Sequence, residues 1–148
     1  MNNTAPSIAI IALKRVDTCK LATSRERHRF SVEPLASRMS SFEQVVSEIA
    51  VACKPGALIV DVGSVKVVPS EIMLRRFPNY VDIVATHPLF GPQSAMEGIE
   101  GLKIAVCPIQ GKRHARLAAF LRVALRLTVI MTTPEDHDRE AAVVQGLT

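Results

Sequence analysis

An α/β fold, with a mostly parallel sheet and helices on both faces, is the class this sequence predicts. Three observations carry it. Five short apolar runs rich in β-branched residues punctuate the chain, at 7–13, 57–62, 81–85, 103–107 and 127–131. Such runs suit strands covered on both sides, as the strands of parallel sheets are. Between them lie segments whose apolar residues recur at helical spacing, and strands alternating with helices imply crossover connections. Lastly, two polar clusters, Asp61-Val62-Gly63-Ser64-Val65-Lys66 and Thr86-His87-Pro88-Leu89-Phe90-Gly91-Pro92-Gln93-Ser94, each follow directly on a predicted strand. Both therefore fall at the carboxyl edge of the sheet, where open α/β sheets hold their ligands.

Taken in order, Ser7–Leu13 is the first buried strand. Lys14-Arg15-Val16-Asp17-Thr18-Cys19 comes next without a glycine, and the first glycine of the chain is Gly56. Residues 14–39 are polar, basic and poorly periodic, so 1–39 is expected to be an irregular region apart from its strand. The pattern sharpens in 40–148. Ser40 or Ser41 can cap a helix over 41–53, with Phe42, Val45, Val46, Ile49, Ala50 and Cys53 inward. Lys54-Pro55-Gly56 stops it. The strand at 57–62 leads to a helix over about 68–76, broken by Phe77-Pro78-Asn79, and the strand at 81–85 leads into the His87 loop. After the strand at 103–107, a helix over 112–125 is expected to bury Leu117, Phe120, Leu121 and Ala124. The last strand precedes a helix over 134–146, capped by Thr133, with Pro134 at its first position and Asp136 near its third.

Composition bounds the function. A chain of 148 residues, 48% hydrophobic and 22% charged, has the make-up of one globular core rather than of a disordered segment. No apolar run nears the ~20 residues of a membrane span, and the first residues show no basic-then-apolar leader. A cytoplasmic location with no membrane partner is expected. Cys19, Cys53 and Cys107 are odd in number and widely spaced, which reads as reduced thiols without a metal site. The net charge of +4 comes largely from Lys14–Arg29 and from Lys112, Arg113, Arg116, Arg122 and Arg126. With one Tyr, no Trp and no recognition motif, these read as solvated basic faces and not as a nucleic-acid interface.

Ser64 and His87, delivered to one rim by two strands, form the candidate site. A neutral imidazole accepts a proton near neutral pH, which suits it to oxidation of a hydroxyl-bearing carbon. The plainer alternatives are a structural His87 and a Ser64 that caps the following helix. Gly63 either permits close backbone approach to a ligand or is a turn glycine. Lys66 reads as a solvated or capping cation, and His137 as a polar first-turn residue beside Asp136 and Asp138.

From about Ser40 to Thr148 the chain resembles the prephenate/arogenate dehydrogenase family of tyrosine biosynthesis. The residues that carry the resemblance are Asp61–Lys66, His87–Pro92 with Ser94, and Thr133-Pro134-Glu135-Asp136-His137-Asp138-Arg139 followed by Val144–Thr148. The resemblance implies a Rossmann-like domain and an oxidative decarboxylation that uses NAD or NADP. It assigns His87 the proton of the substrate's ring hydroxyl and makes Ser64 its catalytic partner. Gly63 and Ser64 then lie by the cofactor, and Gln93 and Ser94 face prephenate or arogenate. Family members place a glycine-rich phosphate loop after the first strand, where this sequence has none. They also carry a helical dimerisation domain beyond the position of Thr148. The chain is thus expected to be an incomplete dehydrogenase domain with impaired activity, a possible homodimer, and to leave apolar surface around Ala141, Val144 and Leu147. The alternative is a non-catalytic α/β binding or assembly module derived from such an enzyme.

Overall fold

The computed structural model describes residues 8–13, 19–23 and 38–146. The elements run β1 (Ile8–Leu13), β2 (Cys19–Thr23), α1 (Arg38–Ala52), β3 (Leu58–Asp61), α2 (Val67–Arg76), β4 (Asp82–Pro88), β5 (Lys103–Gln110), α3 (His114–Val123), β6 (Thr128–Met131) and α4 (Pro134–Gly146). One six-stranded sheet has the order β2-β1-β3-β4-β5-β6. β1, β3 and β4 run parallel, as do β5 and β6.

Every predicted strand forms. Two pairings are antiparallel, β1 with β2 and β4 with β5. No helix lies between β4 and β5; the loop over 89–102 returns the chain from the end where β4 stopped, so β5 must run back. Residues 19–23, within the stretch expected to be irregular, form β2 against β1. Leu147 lies outside the described residues, as do 1–7, 14–18 and 24–37 of the N-terminal region.

Alternation along the strands builds two cores. Ile59, Ile83, Ala85 and Cys107 face Phe42 and Val46 of α1 and Ile72, Met73 and Phe77 of the α2 segment. Leu58, Val60, Val84, Ile104 and Val106 pack with Leu121 of α3 and Leu127 on the other face. Helices therefore cover both sides, because successive strand residues point to opposite faces and these core residues are apolar on each. The stripe of α3 is narrower than expected. Ala118 and Leu121 are buried, whereas Phe120 is 54% exposed and Ala124 is exposed. Residue 120 lies about 100° around the helix from 121 and misses the sheet. α1 begins at Arg38, so Ser40 and Ser41 fall inside its first turn instead of capping it. Thr133 does cap α4: its hydroxyl accepts from Asp136 N–H at 3.1 Å and donates to the Asp136 carboxylate at 3.0 Å. Val144 on α4 is 69% exposed.

Arg113 departs from the solvated basic face. Its guanidinium donates to the Gly56 carbonyl and pairs with Asp82 at 3.5 Å. Asp82 in turn accepts from Lys112 N–H at 2.7 Å and Arg113 N–H at 3.2 Å, closing the start of α3. Gly111, at φ 80°, leaves room for that carboxylate; a Cβ there would lie 1.8 Å from Asp82 Oδ1. Gly111→Ala should therefore cost roughly 1–3 kcal/mol of backbone strain and about 1 kcal/mol of lost helix cap. Urea denaturation checks this against Gly91→Ala, whose added Cβ meets nothing within 4 Å and should be near neutral. Equal stability of the two variants would refute it.

Candidate active site

The loop over 62–66 leaves β3 at the carboxyl edge and enters α2, while β4 carries His87 on the neighbouring strand. Asp61, the last residue of β3, is fully buried, and so is Lys66. The two form an ion pair. Lys66 Nζ also donates to the Thr86 carbonyl at 2.8 Å, and Asp61 Oδ1 accepts from Gly63 N–H at 3.0 Å. The Thr86 hydroxyl donates to the Asp61 carbonyl at 2.9 Å, tying β4 to β3. Burial raises the Asp61 carboxyl above its ordinary range, against the pull of the Lys66 ammonium and the Gly63 amide. Lys66 is thus neither a solvated cation nor a cap. It is an internal strut, and its backbone N–H is itself capped by Asp138.

His87, half-buried, ends the α1/α2 face of β4. Its Nδ1 lies 2.9 Å from Nε2 of His137. The Nδ1 of His137 lies 2.8 Å from Asp138 Oδ1. Asp138 also accepts from Lys66 N–H at 2.9 Å and from Val67 N–H at 2.9 Å, at the start of α2. Burial pushes the Asp138 carboxyl up, but hydrogen bonds from Val67, His137 and Lys66 outweigh it and hold the group below the ordinary range. For His87, burial first, then His137 and Lys66, lower the pKa from 6.5 to about 4. The imidazole is therefore neutral at physiological pH.

His137 is therefore no surface residue of a first turn: it is 5% exposed and in contact with His87. The reason lies in strand register. Met131 is level with Val106, and Val106 with Thr86, so α4 starts over the sheet close to His87. The Asp-His-Asp string at 136–138 was the available signal, but spacing alone does not reveal which strand it will meet. Ser64 is exposed on the loop after β3, and Gln93 and Ser94 are exposed on the loop after β4. Gly63 is buried and its amide is taken by Asp61, which leaves that amide no part in holding a ligand. An open cleft of about 570 Å³ lies elsewhere, lined by Pro108, Met131, Thr132, Thr133, Asp136 and Glu140. Burial pushes the Cys107 thiol to about 11, so it is no nucleophile.

The segment after β1 does not fit the pyrophosphate end of a dinucleotide. The fold's usual cradle is a glycine turn that opens a helix. Here β1 is succeeded by the returning strand β2, with Leu13 opposite Cys19, and residues 14–18 include no glycine.

Protonation of His87 has a consequence for stability. Between about pH 6.5 and 4 the unfolded chain takes up a proton at this position that the folded chain refuses. Stability must therefore fall as pH falls through that window. Urea midpoints measured from pH 8 to pH 4 should decline, and His87→Gln should flatten the decline between 6.5 and 4. An identical pH profile for the variant would contradict the shift.

Known proteins resemble this chain in sequence and in fold. A probable arogenate/prephenate dehydrogenase of Methanocaldococcus jannaschii is 33% identical over 111 residues, which make up 72% of this chain and 24% of that protein. Arogenate dehydrogenase 1 of Arabidopsis thaliana is 31% identical over 121 residues, 77% of this chain and 19% of the relative. The chain thus spans about a quarter or less of the length of these relatives. Among solved structures, prephenate dehydrogenase from Aquifex aeolicus superposes with a TM-score of 0.60 at 21% identity, over 72% of this chain and 40% of the other. Synechocystis arogenate dehydrogenase gives 0.54 at 19%, over 70% of this chain and 38% of the other. These two likenesses establish the Rossmann-like fold. Residues 13–142 match the family profile described as prephenate dehydrogenase, nucleotide-binding domain. With the match running from the end of β1 through α4, and so through every element that builds the His87 site, this chain belongs to the prephenate dehydrogenase nucleotide-binding domain family.

Proposed function

We propose that the chain is the part of a prephenate or arogenate dehydrogenase that carries the proton acceptor. The reaction is NAD(P)-dependent oxidative decarboxylation, of prephenate to 4-hydroxyphenylpyruvate or of arogenate to tyrosine. The observation that carries this reading is His87: neutral, half-buried, and held by its Nδ1 at the carboxyl end of a central parallel strand. Its Nε2, which no described residue engages, accepts the proton of the ring hydroxyl as the carbon beneath is oxidised and the ring carboxylate leaves as carbon dioxide. A nicotinamide, favoured by the family description and by an Aquifex aeolicus structure in complex with hydroxyphenyl propionate and NAD+, supplies the hydride acceptor. Ser64, on the adjoining loop, is the residue to hydrogen-bond the same hydroxyl. Gln93 and Ser94, exposed on the loop after His87, are the residues to meet the rest of the substrate. The buried Asp61–Lys66 pair, with its bond to the Thr86 carbonyl, ties the loop that carries Ser64 to the strand that carries His87.

The misfit after β1 sets an expectation for the chain by itself. Without backbone N–H groups at a glycine turn, it should bind NAD+ and NADP+ weakly and turn over far below ~1 per second, the low end of ordinary enzymes. Calorimetric titration with each cofactor, and NAD(P)H formation with prephenate and with arogenate, check this. Ordinary turnover would show that residues 14–18 supply a cradle. A chimaera in which residues 38–142, from the start of α1 onward, replace their counterpart in the Methanocaldococcus jannaschii relative should be active. An inactive but folded chimaera would favour a non-catalytic binding module instead.

A further inference from the structure

We propose that His137 and Asp138 are positioning residues that lock His87 into one tautomer, with its proton on Nδ1 and its lone pair on Nε2. The proposal deepens, and rests on, the reading of His87 as the proton acceptor. The directions of the hydrogen bonds follow from the α2 end of the relay. The amides of Lys66 and Val67 can only donate, and both point at the Asp138 carboxylate. The carboxylate is ionised there and can only accept. The 2.8 Å contact from Asp138 Oδ1 to His137 Nδ1 therefore requires a proton on that nitrogen. With Nδ1 carrying the one ring proton of His137, its Nε2 presents a lone pair, and the 2.9 Å contact to His87 Nδ1 requires a proton on His87 Nδ1. Only Nε2 of His87 is left to accept.

Ring geometry and burial support the same order. The two imidazoles meet edge to face at 67°, with centroids 5.1 Å apart, as an end-on hydrogen bond demands and a stack does not. His137 is nearly fully buried, so water has little access to take its place. The charged groups facing His87 are these two residues and Lys66, from the start of α2. Among them Lys66 is committed to Asp61 and the Thr86 carbonyl. An unconstrained histidine in water favours the opposite tautomer, with the proton on Nε2, which would offer a hydroxyl a donor where an acceptor is needed. Relays in which one group sets the tautomer of a catalytic imidazole work on this logic.

Nitrogen-15 NMR of histidine side chains in the 148-residue chain at neutral pH tests this without substrate or cofactor. The His87 signals are assigned by their loss in His87→Gln. The expected wild-type pattern is a protonated, pyrrole-type Nδ1 and a bare, pyridine-type Nε2. His137→Leu should shift His87 mainly to the Nε2–H form, and His137→Gln, whose carbonyl can take the same hydrogen bond, should hold it on Nδ1. A wild-type His87 protonated on Nε2 overturns the proposal, and that result needs no variant to fold. A tautomer unchanged in His137→Leu overturns it equally. In the active chimaera, His137→Leu should lower kcat roughly 10- to 100-fold, the usual scale for an outer-shell partner. KM should change little, and Gln should rescue. Should His87→Ala leave turnover intact while the tautomer behaves as expected, the acceptor reading falls and the relay stands.

Discussion

His87→Ala in the active chimaera should lower kcat roughly 10²- to 10⁴-fold, the usual cost of losing a general base. On the proposed reading the side chain meets the reacting hydroxyl, and none of the described residues around it can take its place. Lys66 is buried and paired, Cys107 is buried in the core under α1 and α2 with its thiol raised to about 11, and His137 is spent on the relay. Without an acceptor, oxidation leaves a protonated carbonyl in a half-dry site, and water must take the proton. Because the folded pKa of His87 is about 4, the acid limb of kcat/KM due to this group should lie near 4 and not near 6.5. Cofactor affinity should hold, since the imidazole contributes to a proton transfer and not to dinucleotide binding. NAD(P)H formation measured across pH decides it. An unchanged rate would return His87 to a structural role.

The largest stability effect is expected from Lys66→Met. Both partners of the Asp61–Lys66 pair are fully excluded from solvent, and removing the ammonium strands a buried carboxylate. The carboxylate must then protonate or open the loop to water. Breaking such a pair costs about 3–5 kcal/mol. The Thr86 carbonyl also loses its side-chain donor. Asp61→Leu combined with Lys66→Met should recover much of the loss, because hydrophobic replacement of a whole buried pair is often neutral. Urea denaturation of the two single variants and the double variant gives the coupling. Single variants as stable as the parent would mean that the pair is hydrated in solution.

Much of the fold was legible in the sequence, for local reasons. The five apolar runs, the Pro/Gly stops after α1 and α2 and the Thr133 cap each act within a few residues of themselves. Local patterning therefore settled strands, helices and their order. The placement of His87 and Ser64 at one edge followed from strand direction alone. Direction itself was less secure: β5 runs against β4 because of how the loop over 89–102 returns, which no residue pattern states. Helix faces were legible only in part, since Phe120 suits an apolar stripe by type but not by angle.

By itself, then, the sequence determined the α/β class, the two motif loops and the likeness to a dehydrogenase family, because each of these is written in residue order. Tertiary structure alone decided which polar residues are partners. His137 meets His87 across 50 residues, and Asp138 meets the Lys66 amide across 72. Burial belongs in the same category. Lys66 and His137 have the composition of surface residues, and they are internal because β3, β4 and α4 converge on them. The work of a polar side chain is set by the dielectric and the hydrogen-bond partners around it, and at this site the fold draws those partners from segments far apart in the sequence.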